Sequence, residues 1–169
     1  YAPSYTPSCL EWSSRRRTHG SINAAKAIGV SCNYFFYEIG RLMGIETMNS
    51  YARSFGLGEP TGIELYEETG NLAGPEFRAK FNAQWYPGDT IQAAIGQSDN
   101  GFTPAQIVEY LTTILNKGTR RNLHLLKEIK SYETGETVYH ENPKIMSQIE
   151  MKDSTYQAVI EGMRQVVDD

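Results

Sequence analysis

Between Ser21 and Phe55 the chain leaves no room for a strand, because three runs of helical spacing follow one another with only Ser31-Cys32-Asn33 and Gly44 between them. Ile22, Ala25 and Ile28 recur at the helical period in the first run, which predicts a helix from about Ile22 to Val30 with Ser21 placed to cap it. Phe35 or Phe36, Ile39 and Leu42 or Met43 mark the second, ended by Gly44. Ile45, Met48, Ala52 and Phe55 mark the third, closed by Gly56 and Gly58. A fold that starts this way is led by helices.

The remaining sequence adds a small β component. Residues 1–20 hold Pro3, Pro7, three arginines and Gly20 with no apolar period, so they read as an irregular segment anchored by Cys9, Trp12 and His19. From Glu59 to Gly88 glycine and proline dominate, with a strand expected at Gly62–Tyr66 and a helix at Glu76–Gln84. Thr103-Pro104-Ala105-Gln106 is a helix start: threonine caps, proline fits the first helical position, and Gln106 can reach back to complete a capping box. Ile107, Leu111, Ile114 and Leu115 then predict a buried stripe, stopped by Gly118. Leu123–Tyr132 and Thr137–His140 flank Glu133-Thr134-Gly135-Glu136 as a β-hairpin, and a last helix capped by Asp153 carries Tyr156, Val159, Ile160, Met163 and Val167 on one face. The fold class expected is α+β and helix-rich, with a small antiparallel β element, no internal repeat and no linker dividing residues 1–169.

Composition narrows the function. At 169 residues and 40% hydrophobic content the chain is globular, and no run approaches the roughly 18 uncharged apolar residues of a membrane-spanning helix. The net charge is -4, and the one basic cluster, Arg15-Arg16-Arg17, is too short to neutralise a run of phosphates, so nucleic acid is excluded as a partner. The chain opens at Tyr1 and stops at Asp169 directly after a helical pattern, which reads as a piece cut from a longer protein.

The residues that carry chemistry sit at the first helix junction. A serine or asparagine between two helices is commonly a cap for unpaired amides. Ser31 and Asn33 can also do more: a hydroxyl both donates and accepts, so it can pass a proton between heteroatoms, and a carboxamide can orient a substrate carbonyl and a neighbouring cation together. Cys9, His19 and Cys32 are donors of the kind zinc selects, but their spacing matches no common zinc module. One disulfide, two thiols and a metal site all remain open on spacing alone. His124 and His140 lie in the hairpin region without a partner pattern and read as surface or strand residues.

Outward from the tripeptide, Thr18-His19-Gly20-Ser21-Ile22-Asn23, Ala27-Ile28, Ser31-Cys32-Asn33-Tyr34-Phe35-Phe36-Tyr37 and Gly44-Ile45 resemble the middle of the transpeptidase domain of class B penicillin-binding proteins. Phe55-Gly56-Leu57-Gly58, Thr61-Gly62-Ile63, Trp85-Tyr86-Pro87-Gly88-Asp89-Thr90, Ile95-Gly96-Gln97 and Thr103-Pro104-Ala105-Gln106 continue the resemblance, in order, to about residue 118. The sub-branch is similar to the enzymes of cell elongation or spore formation. The family form Gly-Gln-Gly is broken here by Ser98.

The resemblance implies a serine β-lactamase-like fold and serine acyl transfer through SxxK, SxN and KTG motifs, with no cofactor required. The SxxK serine would attack the penultimate D-Ala carbonyl of a peptidoglycan stem peptide, D-Ala would leave, and an amine of a neighbouring stem would resolve the acyl-enzyme. β-Lactam antibiotics would trap it. Ser31 would relay a proton and Asn33 would bind the substrate amide. The 169 residues contain neither Ser-x-x-Lys nor Lys-Thr-Gly, so those motifs are expected before Tyr1 and after Asp169, and the piece alone is expected to be inactive. The resemblance further implies an enzyme on the extracytoplasmic face of a bacterial cell membrane, anchored by a helix absent here, with a wall glycosyltransferase as a partner. A penicillin-recognising sensor or a β-lactamase of the same fold, and a non-catalytic module binding the wall machinery, are the alternatives. In some elongation-type relatives a structural zinc sits near the catalytic serine, and Cys9, His19 and Cys32 fall on its ligand positions, with a fourth ligand expected upstream.

Overall fold

A computed structural model describes residues 5–168. They form two compact units, each assembled from separate stretches: residues 5–51, 72–100 and 151–168 make the first, residues 52–71 and 101–150 the second. The units interleave along the sequence, so no single linker marks a boundary.

Among the described residues the first unit holds six helices: α1 (Leu10–Arg15), α2 (Ala24–Gly29), most of α3 (Asn33–Ser54), α4 (Pro75–Ala79), α5 (Pro87–Ala93) and α7 (Asp153–Asp168). α1 lies inside the stretch expected to be irregular. Asn23, and not Ser21, caps α2, its side chain accepting from Lys26 N at 2.9 Å. Gly44 interrupts α3 with φ 75 and ψ 161, as the sequence leads one to expect of a glycine between two helical runs. α2 packs against α7 at Gly162, where a Cβ would stand 2.7 Å from Ile28 Cβ and 2.8 Å from Ala25 O. Only glycine allows that approach. On the other side of α2, Cys9, Ala27 and Cys32 form a small buried cluster covered by Ile22, Val30, Phe35 and Phe36.

The second unit joins α6 (Pro104–Leu115) to four short strands among the described residues: β1 (Thr119–Arg121), β2 (Glu128–Lys130), β3 (Thr137–His140) and β4 (Ile145–Gln148). β2 and β3 pair antiparallel as the expected hairpin, while β1 pairs antiparallel with β4, Thr119 opposite Gln148. The expected strand at Gly62–Tyr66 does not form. Gly62 has φ +77, and the Glu67 carboxylate takes the Thr61 and Gly62 amides at 2.9 and 3.0 Å, so this backbone is satisfied by a side chain. The capping box of α6 is present in both directions, Gln106 N to Thr103 Oγ1 at 3.2 Å and Thr103 N to Gln106 Oε1 at 3.0 Å.

The stripe buried by α6 is not the apolar one. Gln106, Glu109, Thr113 and Ile114 are buried, whereas Ile107, Leu111 and Leu115 are exposed. Gln106 Nε2 donates to Glu59 O and Thr69 O, and the fully buried Glu109 carboxylate meets Arg120 Nε at 3.0 Å. Gly56, with φ +94, closes over this pair because any Cβ there would collide with Glu109 Oε2.

Candidate functional site

The junction between α2 and α3 is built by a Schellman ending. Cys32 N donates to Ala27 O at 2.9 Å and Ser31 N to Ile28 O at 3.1 Å, which forces the residue between, Ser31, to φ +51. That position is usually glycine, so a serine here holds strain of about 1 kcal/mol and is set out into solvent. The next helix begins at Asn33, with Phe35 N donating to Cys32 O at 3.1 Å. Ser31 therefore closes α2 and its side chain does not cap α3, while Asn33 is half-buried in the first turn of α3.

The residues on either side of this bend face different environments. Cys32 points into the apolar cluster with Cys9, and His19 lies beside them. Cys9 Sγ is 3.6 Å from His19 Nδ1, and the three donor atoms lie within 4.8 Å of one another. Burial pushes the Cys32 thiol up, and the neighbouring Cys9 adds to this, so two thiolates here would call for a cation to balance them. Both cysteines are free. Tyr37 is buried one turn after Asn33. Burial raises the Tyr37 pKa, so its hydroxyl remains neutral.

A cavity of about 860 Å³ opens beside the three soft donors. Cys9, His19 and Cys32 are in its wall together with Trp12, Arg16 and Tyr34, and Arg16 stacks over the Trp12 ring at 5.9 Å. Ser31 and Asn33 are not among its lining residues. The residues that sequence reading left without a role, Trp85 to Thr90, turn out to open α5. Asp89 accepts from Tyr86 N at 2.8 Å, and the Arg78 guanidinium grips Asp89 through two nitrogens, at 2.8 and 3.0 Å, and Asp99 through Nε at 2.6 Å. Trp85 Nε1 donates to Thr90 Oγ1 at 3.0 Å and its ring lies 5.2 Å beneath Arg78. Pro87 with an acid two residues on was the available signal for this helix start. Gly96 and Ser98 have φ +77 and +66, so the position where Ser98 departs from glycine is one whose backbone favours glycine. His140 lies exposed in β3, and the His124 ring meets Leu126 O at 3.0 Å, so neither joins a site.

The family model described as Penicillin binding protein transpeptidase domain matches residues 2–169. The peptidoglycan D,D-transpeptidase MrdA of Haemophilus influenzae is 33% identical over 168 residues, which is 98% of this chain and 25% of that protein. Among solved structures, a chain of a peptidoglycan synthase complex coordinating polymerization and crosslinking superposes with a TM-score of 0.75 at 33% identity, over 90% of this chain and 25% of the other. A complex between Penicillin-Binding Protein (PBP2) and MreC from Helicobacter pylori contains a chain with a TM-score of 0.69 at 29% identity, over 89% and 26%. The chain thus spans about a quarter of the length of the curated relative it matches.

Proposed function

Because the chain belongs to the penicillin-binding protein transpeptidase domain family, we propose that it is the central part of a peptidoglycan D,D-transpeptidase, with Ser31 and Asn33 as its contribution to the acyl-transfer site. The observation that carries the reading is the bend itself: a non-glycine residue held at φ +51 by two helix-end hydrogen bonds, with its hydroxyl exposed and an amide two residues on. Attack by the family's serine forms an ester to the penultimate D-Ala and breaks the bond to the terminal D-Ala. Ser31 passes a proton toward the departing nitrogen, and Asn33 binds the substrate amide so that the carbonyl stays aligned. An amine of a second stem peptide then displaces the serine oxygen and regenerates it.

Cys9, His19 and Cys32 would hold a structural zinc. A tetrahedral ion about 2.3 Å from sulfur and about 2.0–2.1 Å from nitrogen sets those two donors ~3.6 Å apart, and Cys9 Sγ and His19 Nδ1 stand 3.6 Å apart. Bound there, the ion would have a structural role: Cys9 and Cys32, as its ligands, would tie the Cys9 segment to the residue between Ser31 and Asn33 and so fix the bend. The relatives solved in a peptidoglycan synthase complex and with MreC support association with other wall-building proteins; a wall glycosyltransferase as one partner and the extracytoplasmic face of the membrane as the place are part of the same proposal. No helix among the described residues is long and apolar enough to cross a membrane.

The test uses the full-length protein and a fluorescent penicillin. Ser31→Ala and Asn33→Ala should each slow covalent labelling by roughly 10²-fold or more, while the isolated 169 residues should give no adduct. Labelling of both variants at the wild-type rate, or a stoichiometric adduct on the isolated chain, overturns the reading. Metal analysis under reducing conditions should find one zinc per full-length chain, lost in Cys32→Ala. Its absence from freshly purified protein removes the metal.

A further inference from the structure

α2 has six residues, and helices shorter than about 12–15 residues do not hold their geometry in water unaided, so its place is set by what packs on it. Ser31 follows directly on its last turn and moves with it. Resting on the proposed role of Ser31, we infer that Gly162 and Gln165 of α7, acting through Ile28 and Gly29, are positioning residues for the Ser31 hydroxyl.

The contact uses one face of each helix. Ala25, Ile28 and Gly29 share a face of α2, and Gly162 and Gln165 share a face of α7. At Gly162 it is α7 that gives up a side chain, and Ile28 and Ala25 O fill the room. Further along α7 the fit is reversed: α2 supplies the glycine and α7 the side chain. A Cβ on Gly29 would stand 2.7 Å from Gln165 Cβ and 2.8 Å from Gln165 Oε1. The last turn of α2 therefore cannot advance on α7 at either point.

Gln165 is itself held. Its Nε2 donates to Glu161 Oε1 at 3.0 Å, and because a carboxylate can only accept, this bond turns the amide oxygen toward α2. That oxygen is buried and has no hydrogen-bond partner among the described residues. An unpartnered buried acceptor lowers stability, so stability alone does not account for a glutamine at this place. The other side of α2 is closed by Cys9, Ala27 and Cys32, which leaves the helix gripped from two directions. From the grip to Ser31 the path is main chain throughout. Ile28 O, on the residue that Gly162 admits, accepts Ser31 N at 3.1 Å, and Ala27 O accepts Cys32 N at 2.9 Å. A shift of the last turn of α2 reaches the Ser31 hydroxyl with no flexible side chain between to absorb it.

The experiment is a double-mutant cycle on the full-length protein, reading the rate constant and the binding constant of penicillin acylation separately, with the thermal midpoint alongside. Gly29→Ala pushes the end of α2 off α7 and should lower the acylation rate constant by about tenfold with the binding constant little changed. Gln165→Ala, which removes atoms and cannot clash, should give a smaller loss of the same kind, about threefold, and carries the test if Gly29→Ala does not fold. In a Ser31→Ala background neither should slow the reaction further, because there is no hydroxyl left to place. Gly118→Ala, whose Cβ would collide with Ile149 O in the second unit, is the control: it should lower the midpoint and leave the rate constant as it was. Wild-type rate constants in Gly29→Ala and Gln165→Ala beside a slowed Ser31→Ala overturn this inference alone. So does a loss that persists in full without the Ser31 hydroxyl, or an equal loss in Gly118→Ala. A wild-type rate in Ser31→Ala overturns the functional reading and this inference with it.

Discussion

The two units keep different kinds of residue out of water. Glycines aside, the buried set of the first is Cys9, Ala25, Ala27, Cys32, Tyr37, Ala73 and Ile91; in the second it is Thr61, Gln106, Glu109, Thr113, Ile114 and Arg120. One interior is small and mostly apolar, with two thiols and a phenol as its polar content. The other is a connected polar network in which Gln106 serves two carbonyls, Arg120 Nη2 serves Pro60 O at 2.6 Å, and Glu109 meets Arg120. The difference concerns what tolerates change. Truncating an apolar side chain in the first unit costs the area it buried and the void it leaves, whereas removing a polar partner in the second strands a charge or a donor.

The largest effect should therefore come from the second unit. Arg120→Met removes the counterion of a fully buried carboxylate and should destabilise by about 3–5 kcal/mol at neutral pH. Burial already pushes Glu109 up, with Arg120 opposing it, and without Arg120 it rises further. A carboxyl whose folded pKa lies above its unfolded one binds its proton more tightly when folded, so the penalty should shrink as pH falls and grow as it rises. Denaturant unfolding at pH 5 and pH 7 checks this. An equal loss at both would mean that Glu109 is not what the variant exposes.

In the first unit the comparable weak point is steric. Gly162→Ala inserts a methyl 2.7 Å from Ile28 Cβ and 2.8 Å from a backbone oxygen, which α2 and α7 can only relieve by separating, at a cost of about 1–3 kcal/mol. Hydrogen exchange should report this as faster opening of α2 and α7 with α6 unchanged. If α6 loses protection by the same factor, the two interiors are one cooperative unit and the contrast between them fails.

What was legible in the sequence divides along the same line. Thr103, Pro104 and Gln106 announced α6 because a cap and a capping box are local events, and Gly44 announced the break in α3 for the same reason. The hairpin of β2 and β3 was legible because its turn is contiguous. Cys9, His19 and Cys32 lie together, although ten positions and an unforeseen helix separate the first two. The buried face of α6 was not legible, since hydropathy favoured Ile107, Leu111 and Leu115. Its polar face is inside because Glu59 O, Thr69 O and Arg120 wait there, and those partners arrive from 37 and more residues away or, for Arg120, from the following strand. The β1–β4 pairing, with Thr119 opposite Gln148, has the same cause.

A smaller effect separates the units by pH alone. Burial pushes the Glu67 carboxyl up, but hydrogen bonds from Thr61 N, Thr61 Oγ1 and Gly62 N outweigh it and hold it below its ordinary value of 4.5. A carboxylate with a lowered folded pKa stabilises at neutral pH, and this contribution fades as pH falls below the unfolded value through the folded one. Glu67→Gln should cost about 1–2 kcal/mol at pH 7 and flatten the stability profile below pH ~4.5. An unchanged acid limb would assign that limb to other carboxylates.

The smallest effect is one in which the two units should agree. Ser31 and Ser98 in the first and Lys117 in the second all stand at positive φ, +51, +66 and +51, where a side chain is strained whatever surrounds it. Glycine relieves that strain but adds freedom to the unfolded chain, so each of the three substitutions should stabilise by under about 1 kcal/mol. Backbone strain is local and should not register whether the nearby interior is apolar or polar. Function should separate what stability does not: Ser98→Gly and Lys117→Gly should leave penicillin labelling of the full-length protein near the wild-type rate, while Ser31→Gly, equally stable, should lose it with the hydroxyl. A Ser31→Gly variant that both gains stability and labels normally would reduce the bend to a helix ending and nothing more.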